Sequence, residues 1–380
     1  MRNHSHSNPA RRTLVSAVGG LALVLAVPHA AFASVTTVPD TTAGTNGAVY
    51  AIAQVGDLTI IGGSFTSVGG KARLNAAAIR ADGTVDPTFN PSPNGTVYAV
   101  AGSGDASRVF LGGVFTEAGG AAHANLAATD ALTGAAVPGW QADTTGTNPD
   151  VKSLAVSGSR VYVGGRFGGI DGTTRKRLAA LDVGTGDLVT AFRPRPDLSV
   201  FEVVVSPDGS TVYAGGSFTT LGGEPRPNGY ASVDAANGDA TGFDPSQGGG
   251  RVVTIGLDPD GSRLYVATAN NSLFAYDSGG NQPTWVRKTS GDTQAIAASE
   301  TELYIGGHFS QIVTYKIKRT FLASLNPGDG TVTAWDPNLS GPKMGVWAIT
   351  ITPGRLLVGG VFTMVGDLAQ RRLARFAGTP

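Results

Sequence analysis

Short apolar runs of four to seven residues alternate with polar, glycine-rich gaps along this chain, and no stretch repeats its apolar positions with a helical period. Residues 97–101 show the pattern: Val97-Tyr98-Ala99-Val100-Ala101 precedes a polar turn at 102–107. A second run follows at 108–113, then a Gly-rich loop at 116–123, a third run at 125–130 and a fourth ending near Pro138-Gly139-Trp140. Runs of this length bounded by turn residues predict β-strands, here named A to D in order.

This unit recurs. The phrase Gly-Gly-x-Phe stands at Gly62, Gly112, Gly164, Gly215, Gly306 and Gly359, about fifty residues apart except for one double step. A degenerate copy fills the gap, with Tyr265-Val266-Ala267-Thr268 in place of the phrase and only Ala269-Asn270-Asn271 as its B–C loop. Strand A then occurs at 49–53, 97–101, 151–156, 200–205, 252–257, 293–298 and 346–351. A unit this small cannot bury its own apolar face, so the copies must stack. Four short antiparallel strands repeated radially predict an all-β, seven-bladed β-propeller. The last copy stops after strand C at 372–376, and residues 35–40 precede the first strand A without a copy of their own. The N-terminal segment is therefore expected to supply the missing strand and close the last blade.

Two smaller signals repeat with the strands. Strand C ends in Asp with Gly four residues on, at Asp130 and Gly134, Asp182 and Gly186, and Asp234 and Gly238, which is turn chemistry. Strand D ends in an aromatic residue, as at Phe89, Phe192, Phe243 and Trp335, expected to pack between the outer parts of neighbouring blades.

Residues 1–33 read as a signal peptide, leaving 34–380 as a single propeller. Arg2, Arg11 and Arg12 precede an apolar run at 14–27, and Ala31-Phe32-Ala33 is a small-x-small cleavage signal. The run is short for a membrane span. Arg11-Arg12 also resembles a twin-arginine signal, so export by the Sec or the twin-arginine route to the cell surface or medium is expected. Removing three arginines leaves 25 basic and 28 acidic side chains, a balance that offers nothing to nucleic acid. The chain has no Cys, which excludes disulfides and thiolate metal sites or nucleophiles.

The units resemble the delta-sixty repeat family of bacterial exported and surface β-propellers. Residues 62–89 carry the likeness most fully, through Gly69-Gly70, Arg73, Asn75, Ala81-Asp82-Gly83, Asp86 and Phe89. The blade also resembles kelch and WD repeats in general pattern. The resemblance implies export or surface attachment, and it implies no catalytic residues.

Catalytic chemistry is sparse. After the leader only His123 and His308 remain, with Glu117, Glu202, Glu224, Glu300 and Glu302, and no nucleophile elbow, P-loop or zinc-type His pair occurs. No catalytic residue, metal or cofactor is assigned. What stands out is the face bearing the B–C and D–A loops. Arg73, Arg175, Arg226 and Arg319 recur three residues before strand C, and are expected to pair or stack between blades. The second residue of each strand A is Tyr50, Tyr98, Lys152, Phe201, Val253, Gln294 or Trp347. Glu202, which follows Phe201 where other copies have Ala, is expected to pair with Lys152. The short loop of the fifth copy beside the long 311–318 loop of the sixth is expected to leave a notch. The expected ligand site uses Tyr50, Tyr98, Lys152 and Trp347 at the mouth, with Tyr315 and Arg319 on the rim. It suits a carbohydrate or a peptide segment at the envelope. The reading is a monomeric, non-catalytic binding or scaffold protein; the alternative is a carbohydrate-active enzyme, glycosidase or lyase, at the same mouth.

Overall fold

The computed structural model describes residues 34–379, except 246, 248, 249, 343 and 344; the expected leader lies outside the described residues. No α-helix occurs among them, so none could cross a membrane. The one helical turn among the described residues is the 3₁₀ segment Val313–Tyr315.

Each copy folds its A, B and C runs into an antiparallel sheet. The first joins Ala48–Val55, Leu58–Ser64 and Ala76–Ile79, and the second Val97–Gly102, Arg108–Gly113 and Leu126–Asp130. Strand D is the exception to expectation. A full fourth strand, Pro283–Lys288, forms only in the fifth copy, and Ser34–Val35 takes that place in the last. In the other copies strand D shrinks to a single bridge, such as Ile79 with Val85 or Leu181 with Leu188. The residues that follow explain this. An aromatic residue turns inward there, and the Pro close behind it in several copies has no N–H for the ladder.

The Gly-Gly phrase sets how closely neighbouring copies approach. A Cβ on Gly62 would lie 2.6 Å from Cγ1 of Val97, the first residue of the next inner strand. The same wedge recurs around the molecule, and Gly359 of the last copy meets Val49 of the first at 2.6 Å. Val49, Ile52, Ile61, Ala348, Leu357 and Leu373 accordingly share one buried cluster drawn from both ends of the chain.

Arginines staple the outer parts. Arg108 donates to the carbonyls of Val183 (2.5 Å) and Gly184 (3.0 Å), Arg160 to Ala235, and Arg263 to Pro327 (2.6 Å), each reaching the C–D turn of the following copy. Between the last and first copies Arg375 does this, donating to the Ala81 carbonyl at 2.5 Å. Its position is Ala78, Ala128, Ala180, Ser232, Ala275 or Ser324 elsewhere. Arg355, at the usual staple position, pairs with Asp40 instead. The N-terminal segment lies on the last strand, Leu373–Thr379: Ser34 faces Thr379, Val35 faces Gly378, and Asp40 bridges Arg375. Trp335 adds a bond from Nε1 to the Thr36 carbonyl at 3.0 Å.

Several strand D aromatics stand edge-on to a B-strand ring of their own copy, as in Tyr162–Phe192 (5.3 Å) and Tyr304–Trp335 (5.4 Å). Their far sides meet the next copy, where Gly330 abuts Trp285 and Phe376 abuts Trp335.

Candidate functional site

Every inner strand carries a β-bulge near its start, at the residue that follows a Val or Thr. The register slips between Val49 and Ala51, Val97 and Ala99, Val151 and Ser153, Val200 and Glu202, Val252 and Thr254, Thr293 and Ala295, and Val346 and Ala348. The residue left out of the ladder is in turn Tyr50, Tyr98, Lys152, Phe201, Val253, Gln294 and Trp347. A bulged residue is freed from the pleat and re-aimed. The second Gly of the phrase makes room for the slip, since a Cβ on Gly63 would strike the Ala48 carbonyl at 2.0 Å. Tyr50, Tyr98, Lys152, Gln294 and Trp347 thus line one axial cavity of about 410 Å³.

The wall of this cavity is uneven. Trp347, Tyr50 and Tyr98 form an aromatic arc, with Tyr50 edge-on to Trp347 at 5.5 Å and tilted against Tyr98 at 5.6 Å. Lys152 ends the arc with its ammonium 3.5 Å from the Tyr98 ring centre. Asp150 draws both Lys152 (3.6 Å) and Arg166 (3.2 Å) to itself. Burial pulls the Lys152 ammonium below the ordinary lysine value; Asp150 opposes this, while Arg166 and Arg251 add repulsion. Burial likewise pushes the Tyr98 phenol up. At the other end of the arc His308 stands edge-to-face with Trp347 at 4.8 Å. His308 and Asp292 meet through Nδ1 and Oδ1 at 2.8 Å, and this bond holds the Asp292 carboxyl below the usual carboxylate range. Trp347 Nε1 and His308 Nε2 are buried without a partner among the described residues.

One step below the bulge ring the wall is Ala51, Ala99, Ser153, Glu202, Thr254, Ala295 and Ala348. Glu202 is its one carboxyl. Part of its surface opens to the cavity, yet the strands around it keep the carboxyl nearly dry, and this raises its pKa from 4.5 to about 7. It accepts a bond from Ser153 Oγ at 2.7 Å and a longer one from Thr254 at 3.4 Å. The expected Lys152–Glu202 pair does not form. The bulge turns Lys152 up over Tyr98, while Glu202, one residue past its own bulge, faces its neighbours in the lower ring.

The basic residues of the B–C loops have another use. Arg73 donates to the Asp86 and Pro87 carbonyls (2.9 and 3.0 Å), Arg175 to Thr190 (3.3 Å), Arg226 to Thr241 (3.2 Å) and Arg319 to Thr333 (2.9 Å). Each bond stays inside its own copy; Arg226 and Arg319 also form the expected ion pairs, with Asp244 (3.8 Å) and Asp336 (3.3 Å), but within a blade rather than between blades. The guanidinium takes carbonyls that the shortened strand D leaves free. Tyr315 lies away from the mouth, its ring 5.1 Å from the Arg287 guanidinium, which also stacks on Trp285. The expected notch is filled, because the fourth strand of the fifth copy runs up to the sixth copy's loop, with Lys288 N–H bonding Thr314 and Thr289 bridging Ile312.

Sequence reading of the second position missed its flanks. The residue two before each bulge, and the variable residue of Gly-Gly-x-Phe, stand beside it in the ladder: Asp150 with Arg166, and Asp292 near His308. In the third copy these three positions read Asp150, Lys152 and Arg166, and in the sixth Asp292, Gln294 and His308. Aligning the copies on all three columns would have exposed them.

A family model described as "Domain of unknown function (DUF5122) beta-propeller" matches residues 59–89. Among solved structures, the WD40 beta propeller domain of Doa1 superposes with a TM-score of 0.59 at 12% identity, over 91% of this chain and 97% of that one. The fold is that of a β-propeller. The computationally designed Ika8 protein superposes similarly, with a TM-score of 0.55 at 13% identity over 90% of this chain and all of the other. Among curated proteins none matches the sequence. The propeller's axial mouth is therefore the cavity ringed by the bulged residues, and no group of His, Asp or Glu that could hold a metal occurs among the described residues.

Proposed function

We propose that this chain is an exported, seven-bladed propeller of the delta-sixty repeat kind that binds a carbohydrate or peptide at its axial mouth without turning it over. One observation carries the reading. Seven bulges at one register position re-aim side chains, and where the repeat could have set the same small residue it sets four aromatics, a valine, a lysine and a glutamine, of which three aromatics, the lysine and the glutamine line the cavity. A wall of rings with a few polar groups suits recognition of a ligand. The leader pattern and the family resemblance support placement at the cell surface or in the medium.

The His308–Asp292 pair is the feature that favours the enzymatic alternative. A base needs a free Nε2 beside substrate, and here that atom is buried beside the Trp347 ring. The pair instead orients the indole. Trp347→Ala is expected to weaken ligand binding by roughly 1–3 kcal/mol with the melting temperature little changed. Glycan arrays and envelope extracts screened against wild type and variant supply the measurement. Binding untouched by Trp347→Ala would defeat the site, and product release from a bound glycan would replace binding with catalysis.

A further inference from the structure

The charged side chains at the mouth are not spread around it. Trp347, Tyr50 and Tyr98 come from the last, first and second copies, which adjoin. The third copy contributes Asp150, Lys152 and Arg166, the fifth Arg251 and the sixth Asp292 and His308. An aromatic arc therefore faces a charged one. Lys152 and Arg166 share the single carboxylate of Asp150. Arg251 is exposed, stacks on Phe201 at 4.6 Å and makes no ion pair among the described residues. Asp292 is taken up by His308. The charged arc on the Lys152 side is thus short of negative charge. Polar groups complete the wall: Gln294, Ser153, Thr254 and Glu202 line the cavity.

Resting on the binding reading above, we propose that the mouth holds a sugar ring bearing a carboxylate. The apolar face of the ring lies on Trp347 beside the edge-on Tyr50, and the carboxylate points to Lys152 and Arg251. Sugar hydroxyls both donate and accept, which matches a wall that mixes an amide, two hydroxyls and a carboxyl. Aromatic faces suit the C–H face of a pyranose, and a cavity of about 410 Å³ is of small-ligand size. An acidic peptide side chain is the rival occupant. It satisfies the cations but brings no ring face to Trp347 and only one polar group for the lower wall.

A matched pair of probes separates the possibilities: a disaccharide ending in glucuronate, and the same disaccharide ending in glucose. Titration calorimetry on the purified protein should show the uronate binding about tenfold tighter or more, with the gap narrowing as salt rises. Lys152→Gln and Arg251→Gln should each shrink that preference, and together bring the two sugars to parity. Trp347→Ala should weaken both sugars alike. Melting temperatures confirm that each variant folds. Equal affinity for the two sugars in wild type overturns the proposal, as does binding of neither. An acidic peptide that binds in a Trp347-dependent way also overturns it, while leaving the binding reading intact. Uronate binding indifferent to Trp347→Ala removes the mouth as the site and takes both readings with it.

Discussion

Glu202 is a single carboxyl placed in a ring of Ala, Ser and Thr, and its cost can be measured through pH. In the unfolded chain it returns to an ordinary pKa of 4.5. Between that value and about 7 the folded protein keeps a proton that the unfolded chain has released, so stability falls as pH rises through this window. By the top of the window the loss is about 3 kcal/mol at most. Glu202→Gln keeps an acceptor for Ser153 but cannot ionise. Its melting temperature should lack the decline that wild type shows, and should exceed that of wild type at higher pH. Parallel curves for the two proteins would mean that Glu202 stays well hydrated. The sequence marked Glu202 as a departure from the repeat, and marked Tyr50, Tyr98, Lys152 and Trp347 as a set. It could not name partners. Which neighbour a side chain meets depends on the bulge, and a one-residue slip changes the direction of every side chain beside it.

At the level of elements, the Gly-Gly phrase proves to be two devices in one. Its first glycine lets the next inner strand approach, and its second makes room for the slipped register. Gly359→Ala tests the first at the junction of the chain ends. The new methyl would lie 2.6 Å from Val49 Cγ1 and 3.1 Å from Ile52 Cδ1, both on a packed sheet. The expected loss is about 1–3 kcal/mol, read as a lowered denaturation midpoint. Val49→Ala, itself destabilising, should recover part of that loss in the double variant, because the two residues share one contact. Additive losses would show that the sheets do not meet there. The A, B and C strands were legible because their apolar runs are bounded by turn residues. Strand D was overestimated, since its run has apolar residues but gives its ladder bonds to an arginine and a proline-bearing turn. The role of Arg73, Arg175, Arg226 and Arg319 was hidden for the same reason: nothing in the sequence shows a carbonyl left without a strand.

For the whole molecule the decisive contact is between its ends. Deleting residues 34–40 would remove the Ser34–Val35 pairing, the Asp40–Arg355 ion pair and the bond from Trp335 to Thr36. At about 1 kcal/mol for each bond lost, the melting temperature should drop by several degrees. The strand Leu373–Thr379 would then present an open edge, which invites pairing between molecules. Light scattering should show association that wild type lacks. An unchanged melting temperature would separate the N-terminal segment from the stability of the ring.

Ser34 Oγ and Thr379 Oγ1 lie 2.6 Å apart although 345 residues separate them. Contacts of such high order form slowly, because the whole intervening loop must be gathered first. During synthesis this early segment is therefore the last to find its partner. It waits through every other copy, and a ribosome that stops short of the final strand leaves it unmatched. Fragments truncated before residue 373 should leave the Ser34–Val35 segment open to protease, and chains that include residues 373–379 should protect it.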